Sequence, residues 1–216
     1  MHRKDLLIVI ASVLFAIISI ALLYRGISAP EYTISTEALS FADDPQQINL
    51  AEKTELQHNS GKHDYILSLL AEYSITAYLV SKRPYRRGSL SDLSPWDYAL
   101  IWGEVPHQLE YLKFDQIVRF CLFSYKHGSP VDPAYIGRHL SNNHLIPANA
   151  NIRKALARAK RGDIVRLKGY LVNVRTKSGS KEAVVWKSSM SRDDTGNGAC
   201  EVLYVEQLRI GNRLYQ

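Results

Sequence analysis

The sequence predicts an α+β chain in which an N-terminal transmembrane helix precedes one small folded domain. Three observations predict it: residues 6–23 are an apolar run without a charge, residues 152–159 carry apolar side chains at helical spacing, and three strand-like segments follow them. Hydrophobic residues are 46% and charged residues 22% of the 216 residues, which excludes a disordered chain. A mean hydropathy of −0.18 excludes a protein with many membrane spans.

The N-terminal apolar run is long enough to cross a bilayer, because its 18 residues give about 27 Å of helix. Arg3 and Lys4 precede the run and acidic residues dominate after Arg25, which predicts a cytoplasmic N-terminus. The alternative is a cleaved signal peptide, although the run exceeds the usual ~7–15 residues and Pro30 would follow the cleavage site. The sequence therefore predicts a single-pass protein of the cell inner membrane, with the lipid bilayer as a partner and an extracytoplasmic C-terminal domain.

Composition divides the chain into three parts. Residues 1–25 are the cytoplasmic tip and the anchor, residues 26–61 are a polar linker, and residues 62–216 are the extracytoplasmic domain. From residue 57 to the C-terminus, 23 basic residues face 14 acidic residues, which gives this part a net charge of +9. Such a charge favours an acidic ligand.

Hydrophobic period and capping signals predict the elements of the domain. The Ser94-Pro95-Trp96-Asp97 sequence has the residue types of a helix start, and so does Asp132-Pro133. The predicted elements are an extended segment at 65–81 with a strand pattern at 73–80, a helix at 94–102, a strand at 117–125, a helix at 132–143, a helix at 152–161 and strands at 164–175, 183–190 and 199–210. Strands at both ends with helices between them predict a small antiparallel β-barrel with inserted helices, and the oligonucleotide/oligosaccharide-binding (OB) fold is the nearest known shape.

The densest polar segment lies between the last two predicted strands. Asp193, Thr195 and Asn197 stand at positions 1, 3 and 5 of a calcium-type loop, but Tyr204 occupies position 12, where such loops need a glutamate. A hairpin turn at Asn197-Gly198 explains the same residues and is favoured. The segment still supplies the candidate binding residues Arg192, Asp193, Asp194, Asn197 and Glu201. No motif predicts a catalytic residue, a metal site or a cofactor.

Three further residue groups leave alternatives open. Ten basic residues lie from Arg153 to Lys181 against Asp163 alone, so Arg158 and Lys160 either bind an acidic ligand or cover a solvated face. Cys121 and Cys200 form a disulfide in an oxidising compartment or remain two buried thiols. The histidines at 107, 127, 139 and 144 lack the spacing of metal ligands, which favours surface or hydrogen-bonded histidines.

Several segments together carry a family resemblance. They are residues 94–100 (SPWDYAL), 143–149 (NHLIPAN), 162–171 (GDIVRLKGYL) and 188–201 (SSMSRDDTGNGACE). In these segments the chain resembles an uncharacterised family of bacterial membrane-anchored envelope proteins, over roughly residues 73–206. The resemblance implies a bacterial source and an envelope location. It carries no known activity, so it implies no catalytic role.

These observations predict a membrane-anchored envelope protein whose outer domain is a binding or assembly module with a protein partner in the envelope. One alternative is a metal-assisted hydrolase that uses Asp193, Asp194 and Glu201. Another is a cytoplasm-facing nucleic-acid binder, which an extracytoplasmic domain disfavours. A stripe of basic residues interleaved with exposed aromatic side chains would indicate the nucleic-acid binder.

Overall fold

The computed structural model describes residues 10–19, 29–178, 181–191 and 200–216, without the side chains of residues 177, 178, 181 and 182. The chain divides into two units, Met1–Pro30 and Glu31–Gln216. In the first unit, residues 10–19 are helical. Within the described residues, no helix has both the length and the apolar character that a membrane crossing requires. The predicted transmembrane helix is therefore wrong, and with it the signal-anchor topology and the inner-membrane location, because the helical residues that the structure describes here, 10–19, cover only about 15 Å.

The second unit consists mainly of strands. In chain order its elements are β1 (Thr33–Ile34), β2 (Gln46–Asn59), β3 (Asp64–Pro84), β4 (Trp96–Ile101), a 3₁₀ helix (Val105–Gln108), β5 (Leu112–Ile117), β6 (Phe120–Tyr125), α1 (Pro133–Arg138), β7 (Leu140–Pro147), α2 (Ala150–Arg158), β8 (Ile164–Ser178), β9 (Lys181–Trp186), β10 (Glu201–Ile210) and β11 (Arg213–Tyr215). β5 and β6 form a separate two-stranded hairpin, and the other strands form one nine-stranded sheet.

Five strands of the large sheet close a ring. β3 pairs with β4, β4 with β7, β7 with β10, β10 with β8, and β8 again with β3. The β7–β10 pair is parallel and the other four are antiparallel. β2 extends the ring from β3, β9 extends it from β8, and β11 with β1 extends it from β10.

The predicted fold class, an α+β chain with a small antiparallel OB-like barrel behind a transmembrane helix, is thus wrong. The sheet is large and mixed, and both helices of the second unit are short, with six residues in α1 and nine in α2. The polar linker predicted at 26–61 contains β2, a 14-residue strand that pairs along β3. The helix predicted from Asp132 to 143 ends at Arg138, and β7 follows it.

The predicted helix at 94–102 is a strand because burial, rather than the capping signature, decides this segment. Tyr98, Ala99, Leu100 and Ile101 are all fully buried, so both faces of β4 lie in apolar surroundings. A continuous apolar run buried on both faces is typical of a central strand. β4 accordingly lies between β3 and β7.

The interior of the ring is the largest part of the core. All five ring strands contribute apolar side chains to it, and Ile152, Ala155 and Leu156 of α2 pack against them. The apolar period therefore located this helix correctly, and the Asn149 side chain caps it by accepting a hydrogen bond from the Ile152 N–H at 2.9 Å. Gly169 allows β8 to approach β10, because a Cβ there would lie 1.8 Å from the Tyr204 carbonyl oxygen.

Two smaller apolar clusters lie on the outer side of the ring strands. Leu90 and Leu93, from the segment between β3 and β4, cover one of them. Phe114 and Phe123 of the β5–β6 hairpin cover the other. The tip of the hairpin thereby comes close to β4 and β7, and this is where the polar residues of the domain converge.

Candidate functional site

Two buried ionisable residues face each other across neighbouring ring strands. Asp97 of β4 is the register partner of His144 of β7. Asp97 is fully buried and His144 is 3% exposed. His144 Nδ1 lies 3.0 Å from Asp97 Oδ1. Burying a carboxylate is costly unless it is paired, so this position requires compensating charge.

Arg119 supplies that charge from the tip of the hairpin. Its Nη1 donates a hydrogen bond to Asp97 Oδ1 at 2.9 Å. Its Nη2 donates to the Ser94 carbonyl oxygen at 3.2 Å. The guanidinium carbon lies 3.9 Å from the centre of the Tyr85 ring and 4.9 Å from that of Trp186. Arg119 is thus held by a carboxylate, a carbonyl and two aromatic rings.

The backbone that carries Arg119 is strained. Ile117 pairs with Phe120, so Val118 and Arg119 form a two-residue hairpin loop, with φ values of 44° and 65°. Loops with positive φ at both positions favour Asn-Gly, and a β-branched residue in this region is an outlier. Each such residue costs on the order of 1–3 kcal/mol, and persists only where surrounding contacts hold it.

Hydrogen bonds to the Arg119 backbone provide those contacts. The Arg119 N–H donates to the Tyr85 hydroxyl at 3.0 Å. The Arg119 carbonyl accepts from the Asn142 side-chain amide at 2.9 Å, and the Cys200 thiol donates towards the same oxygen at 3.7 Å. The backbone N–H and the backbone carbonyl of Arg119 are therefore both bonded to other elements, and the strained loop sets the position of the guanidinium.

A pocket of about 570 Å³ opens beside this arrangement. Its lining residues share a position between the hairpin tip and β9: Arg119, Phe120, His144, Val184, Val185, Trp186, Lys187 and Cys200. Phe120, Val184 and Val185 are exposed, by 37%, 51% and 40%. The ionisable side chains in the lining are cationic or neutral, and the acid Asp97 lies beneath them. The pocket therefore suits an apolar or planar group attached to an anionic group.

One polar atom beneath the pocket has no hydrogen-bond partner among the described residues. Asp97 Oδ2 is buried and has no hydrogen-bond partner within the described part of the chain. The His144 ring contacts Trp186 in a tilted arrangement, with 4.3 Å between the ring centres and 34° between the ring planes. Burial, with the nearby Asp97 carboxylate as a lesser cause, raises the pKa of Tyr85. Tyr85 therefore stays protonated at neutral pH, where its ring lies over the guanidinium of Arg119.

The two cysteines lie on either side of the hairpin tip. Cys200 lines the pocket, and Cys121 follows Arg119 by two residues. Both are free thiols in the structure, so the predicted alternatives of disulfide and separate thiols stay predictions for an oxidising environment. Burial, together with the neighbouring Cys200 and Asp115, raises the pKa of Cys121 to about 12.

None of the sequence-predicted binding residues that the structure describes lines this pocket. Four of them, Arg192, Asp193, Asp194 and Asn197, lie outside the described residues. Glu201 is 1% exposed at the start of β10. Arg158 and Lys160 are exposed at the end of α2 and do not line the pocket.

A metal centre gains no support in the described ranges. Among residues 10–19, 29–178, 181–191 and 200–216, no group of three His, Cys, Asp or Glu residues could hold a metal ion. The predicted hydrolase used Asp193 and Asp194, which lie outside these ranges, together with Glu201. The hydrolase therefore stays a prediction.

Sequence reasoning missed the residues that the structure brings together. The helix-start pattern places Asp97 in the first turn of a helix, and the spacing of His144 does not indicate a metal ligand. Arg119 stood unremarked in a predicted strand. One sequence pattern points to Asp97 and His144: each is the single ionisable residue of a largely apolar strand segment, WDYALI and NNHLIP. A charge in a buried strand needs a partner, so this pattern indicates that other polar groups lie nearby.

Comparisons with known proteins leave the site to be interpreted from its own geometry: no family model, curated protein or solved structure matches the chain. The resemblance to an envelope protein family accordingly stays a prediction.

Proposed function

We propose that the chain is a binding module whose ligand site is the pocket between the β5–β6 hairpin tip and β9. Its ligand carries an apolar or planar group next to an anionic group. The single observation that carries the proposal is the strained loop at Val118 and Arg119, which holds a guanidinium over a buried carboxylate at the pocket wall.

The backbone strain at Val118 and Arg119 supports a ligand site, because the stability of the fold does not require a strained loop here. An Asn-Gly loop would close the same hairpin without the cost of positive φ at Val118. Such a loop would lack Arg119. If an apolar residue also replaced Asp97, no buried carboxylate would remain that needs a cation. Backbone strain of this kind clusters at functional sites, where it fixes a side chain in place.

The lining supports a ligand that is both apolar and anionic. Phe120, Val184 and Val185 offer exposed apolar surface at the pocket. Lys187, which lines the same pocket, is also exposed. A volume of about 570 Å³ falls within the range of ~300–1,000 Å³ that small-molecule sites occupy.

A planar anionic dye tests the proposal directly. The probe is 8-anilinonaphthalene-1-sulfonate, whose fused rings and sulfonate match the lining, titrated into the full chain and followed by its fluorescence. We expect Phe120→Ala and Lys187→Gln each to weaken the binding at this site by roughly fivefold to tenfold, which corresponds to about 1–1.4 kcal/mol.

The control must remove a charge elsewhere. Arg158→Gln removes an exposed cation from α2, and it should leave dye binding unchanged. The apolar run at residues 6–23 is common to all variants, so its dye binding cancels in the comparison. Equal dye binding by the Phe120 and Lys187 variants and the original chain would show that the pocket is not the ligand site.

A further inference from the structure

Exposed cations occur in two segments next to the residues that line the pocket. Arg86 and Arg87 are exposed and directly follow Tyr85, whose ring contacts Arg119. Lys187 is exposed on the opposite wall, which β9 and the residue after it form. Lys187 thus lines the pocket itself, and Arg86 and Arg87 lie one and two residues after the Tyr85 ring that contacts Arg119.

The acids of the same region do not cancel this charge. Asp97 is fully buried and already bonded to Arg119. Asp92, in the segment before β4, has a side chain that is 8% exposed. Its carboxylate accepts from Ser60 at 2.5 Å and lies 2.9 Å from His63 Nδ1. Both carboxylates are therefore engaged internally, and the exposed Asp115 of the hairpin is a single acid against the three cations.

Aromatic and apolar surface lies between the cations. Phe120 is exposed at the hairpin tip, and the half-buried Trp186 lines the same pocket. Val184 and Val185 continue this surface along β9. Nucleic-acid bases stack on aromatic side chains while lysine and arginine track the phosphates, and single-stranded binding sites combine these two features.

We infer that the ligand of this site is a single-stranded nucleic acid, with bases against Phe120 and the apolar wall and phosphates against Arg86, Arg87 and Lys187. The inference rests on the proposed function, because it uses the same pocket. An acidic polypeptide would use the cations as well, but it offers no repeated planar group for the exposed aromatic ring.

The location differs from the one that basic composition predicts. The basic stretch from Arg153 to Lys181 places Arg158 and Lys160 at the end of α2, away from the pocket lining. Aromatic surface accompanies the cations of the pocket mouth. The two basic surfaces can therefore be separated by substitution.

The experiment measures binding of a fluorescein-labelled single strand of about 16 nucleotides to the full chain by fluorescence anisotropy. Three phosphate contacts predict a slope of log K against log salt concentration of about −2 over roughly 50–200 mM salt. Arg86→Gln with Arg87→Gln should weaken binding at least tenfold and reduce the magnitude of that slope by about 1.4. Phe120→Ala should weaken binding roughly tenfold, because stacking contributes about 1–3 kcal/mol per base.

The matched control is the double variant Arg158→Gln with Lys160→Gln, which removes the same charge from the α2 surface and should leave binding unchanged. If that control loses binding and the Arg86/Arg87 variant keeps it, the inference is wrong and the basic surface of α2 is the site. Circular dichroism of each variant separates lost binding from lost folding.

Two further results would contradict nucleic acid as the ligand but remain compatible with the pocket as a binding site. One is dye binding that depends on Phe120 and Lys187 together with no binding of the labelled strand. The other is displacement of the strand by polyglutamate as effectively as by an unlabelled strand at equal charge concentration, which would show that the site recognises acidic polymers in general. Loss of dye binding at the pocket itself would refute the proposed function instead.

Discussion

Lys82 and Arg119 are two cations withdrawn from solvent, and the protein satisfies them in different ways. Lys82 of β3 lies at the C-terminal end of α2, where Nζ donates to the carbonyl oxygens of Leu156, Ala157 and Ala159 at 2.7–2.8 Å. Helix carbonyls at this end have no partner within the helix, and the helix dipole favours a cation there. Arg119 instead pairs with a carboxylate.

The surroundings of the two cations differ in strain and in completeness. Lys82 lies in a regular strand, and all three hydrogens of its ammonium group have acceptors. Arg119 lies in a strained loop, its carboxylate partner keeps an unused oxygen, and a pocket opens beside it. The first arrangement leaves no hydrogen of the ammonium group without an acceptor. The second keeps an unbonded carboxylate oxygen beside a pocket, where a ligand can bind.

Removing the carboxylate should have the largest effect, because it leaves a largely buried guanidinium without its counter-charge. We expect Asp97→Ala to lower the free energy of unfolding by about 3–5 kcal/mol, measured by urea denaturation. The control is Glu55→Ala, which removes an exposed carboxylate paired with Lys53 and Arg175 and should cost far less, because solvent screens exposed ion pairs. Equal losses for the two variants would show that the buried Asp97–Arg119 pair contributes no more to stability than an exposed ion pair.

Replacing Lys82 should have a smaller effect. Lys82→Met keeps the aliphatic stem beneath Trp96 and Tyr98 but removes the three hydrogen bonds to the helix end. We expect a loss of about 1–3 kcal/mol in the free energy of unfolding, because the three carbonyls regain only part of their hydrogen bonding from water. Lys160→Met, at an exposed position, should change it by no more than about 0.5 kcal/mol. A larger loss at Lys82 than at Asp97 would reverse the ranking of the two cations.

The same substitution provides a pH test. Burial lowers the pKa of Lys82 from 10.5 to about 8, with Asp163 opposing the shift. Between pH 8 and 10.5 the unfolded chain binds a proton that the native chain has lost, so stability contributed by this group rises with pH across that window. The difference in unfolding free energy between the original chain and Lys82→Met should therefore grow from pH 8 to 10.5. A difference that shrinks would show that the native ammonium is favoured over the unfolded one.

The two regions also differ in how far the sequence predicts them. The apolar period of α2 and its Asn149 cap are local signals, and the helix at the Lys82 end appears where they indicate. Local signals failed at β4, where a serine, a proline and an acid have the pattern of a helix start, because burial on both faces depends on β3 and β7. The ring closure likewise depends on the parallel β7–β10 pairing between distant segments.

The site itself was beyond sequence reasoning for a related reason. Asp97, Arg119 and His144 come from three elements, and only the register of β4 against β7 and the position of the hairpin tip bring them together. The loop residues Val118 and Arg119 contradict the local preference for Asn-Gly. Local sequence preferences cannot predict a conformation that tertiary contacts impose. Positions of this kind are expected at functional sites.

The smallest effect should be a gain in stability from relieving the loop strain. Val118 is 74% exposed and has a φ of 44°, so its side chain contributes little packing while its backbone conformation is unfavourable. Asparagine tolerates this conformation and is favoured at the first position of such loops. We expect Val118→Asn to raise the free energy of unfolding by about 0.5–1 kcal/mol, measured by thermal and urea denaturation, with dye binding at the pocket unchanged.

Arg119→Gly is the opposing variant, because it relieves strain at the second loop position but leaves Asp97 buried without its cation. It should lower the free energy of unfolding despite the relief, since an uncompensated buried charge costs about 3–5 kcal/mol and positive φ costs about 1–2 kcal/mol. If Arg119→Gly stabilised the chain and preserved dye binding, the strain would serve no site. If Val118→Asn instead destabilised it, the exposed valine would be contributing contacts that outweigh its conformation.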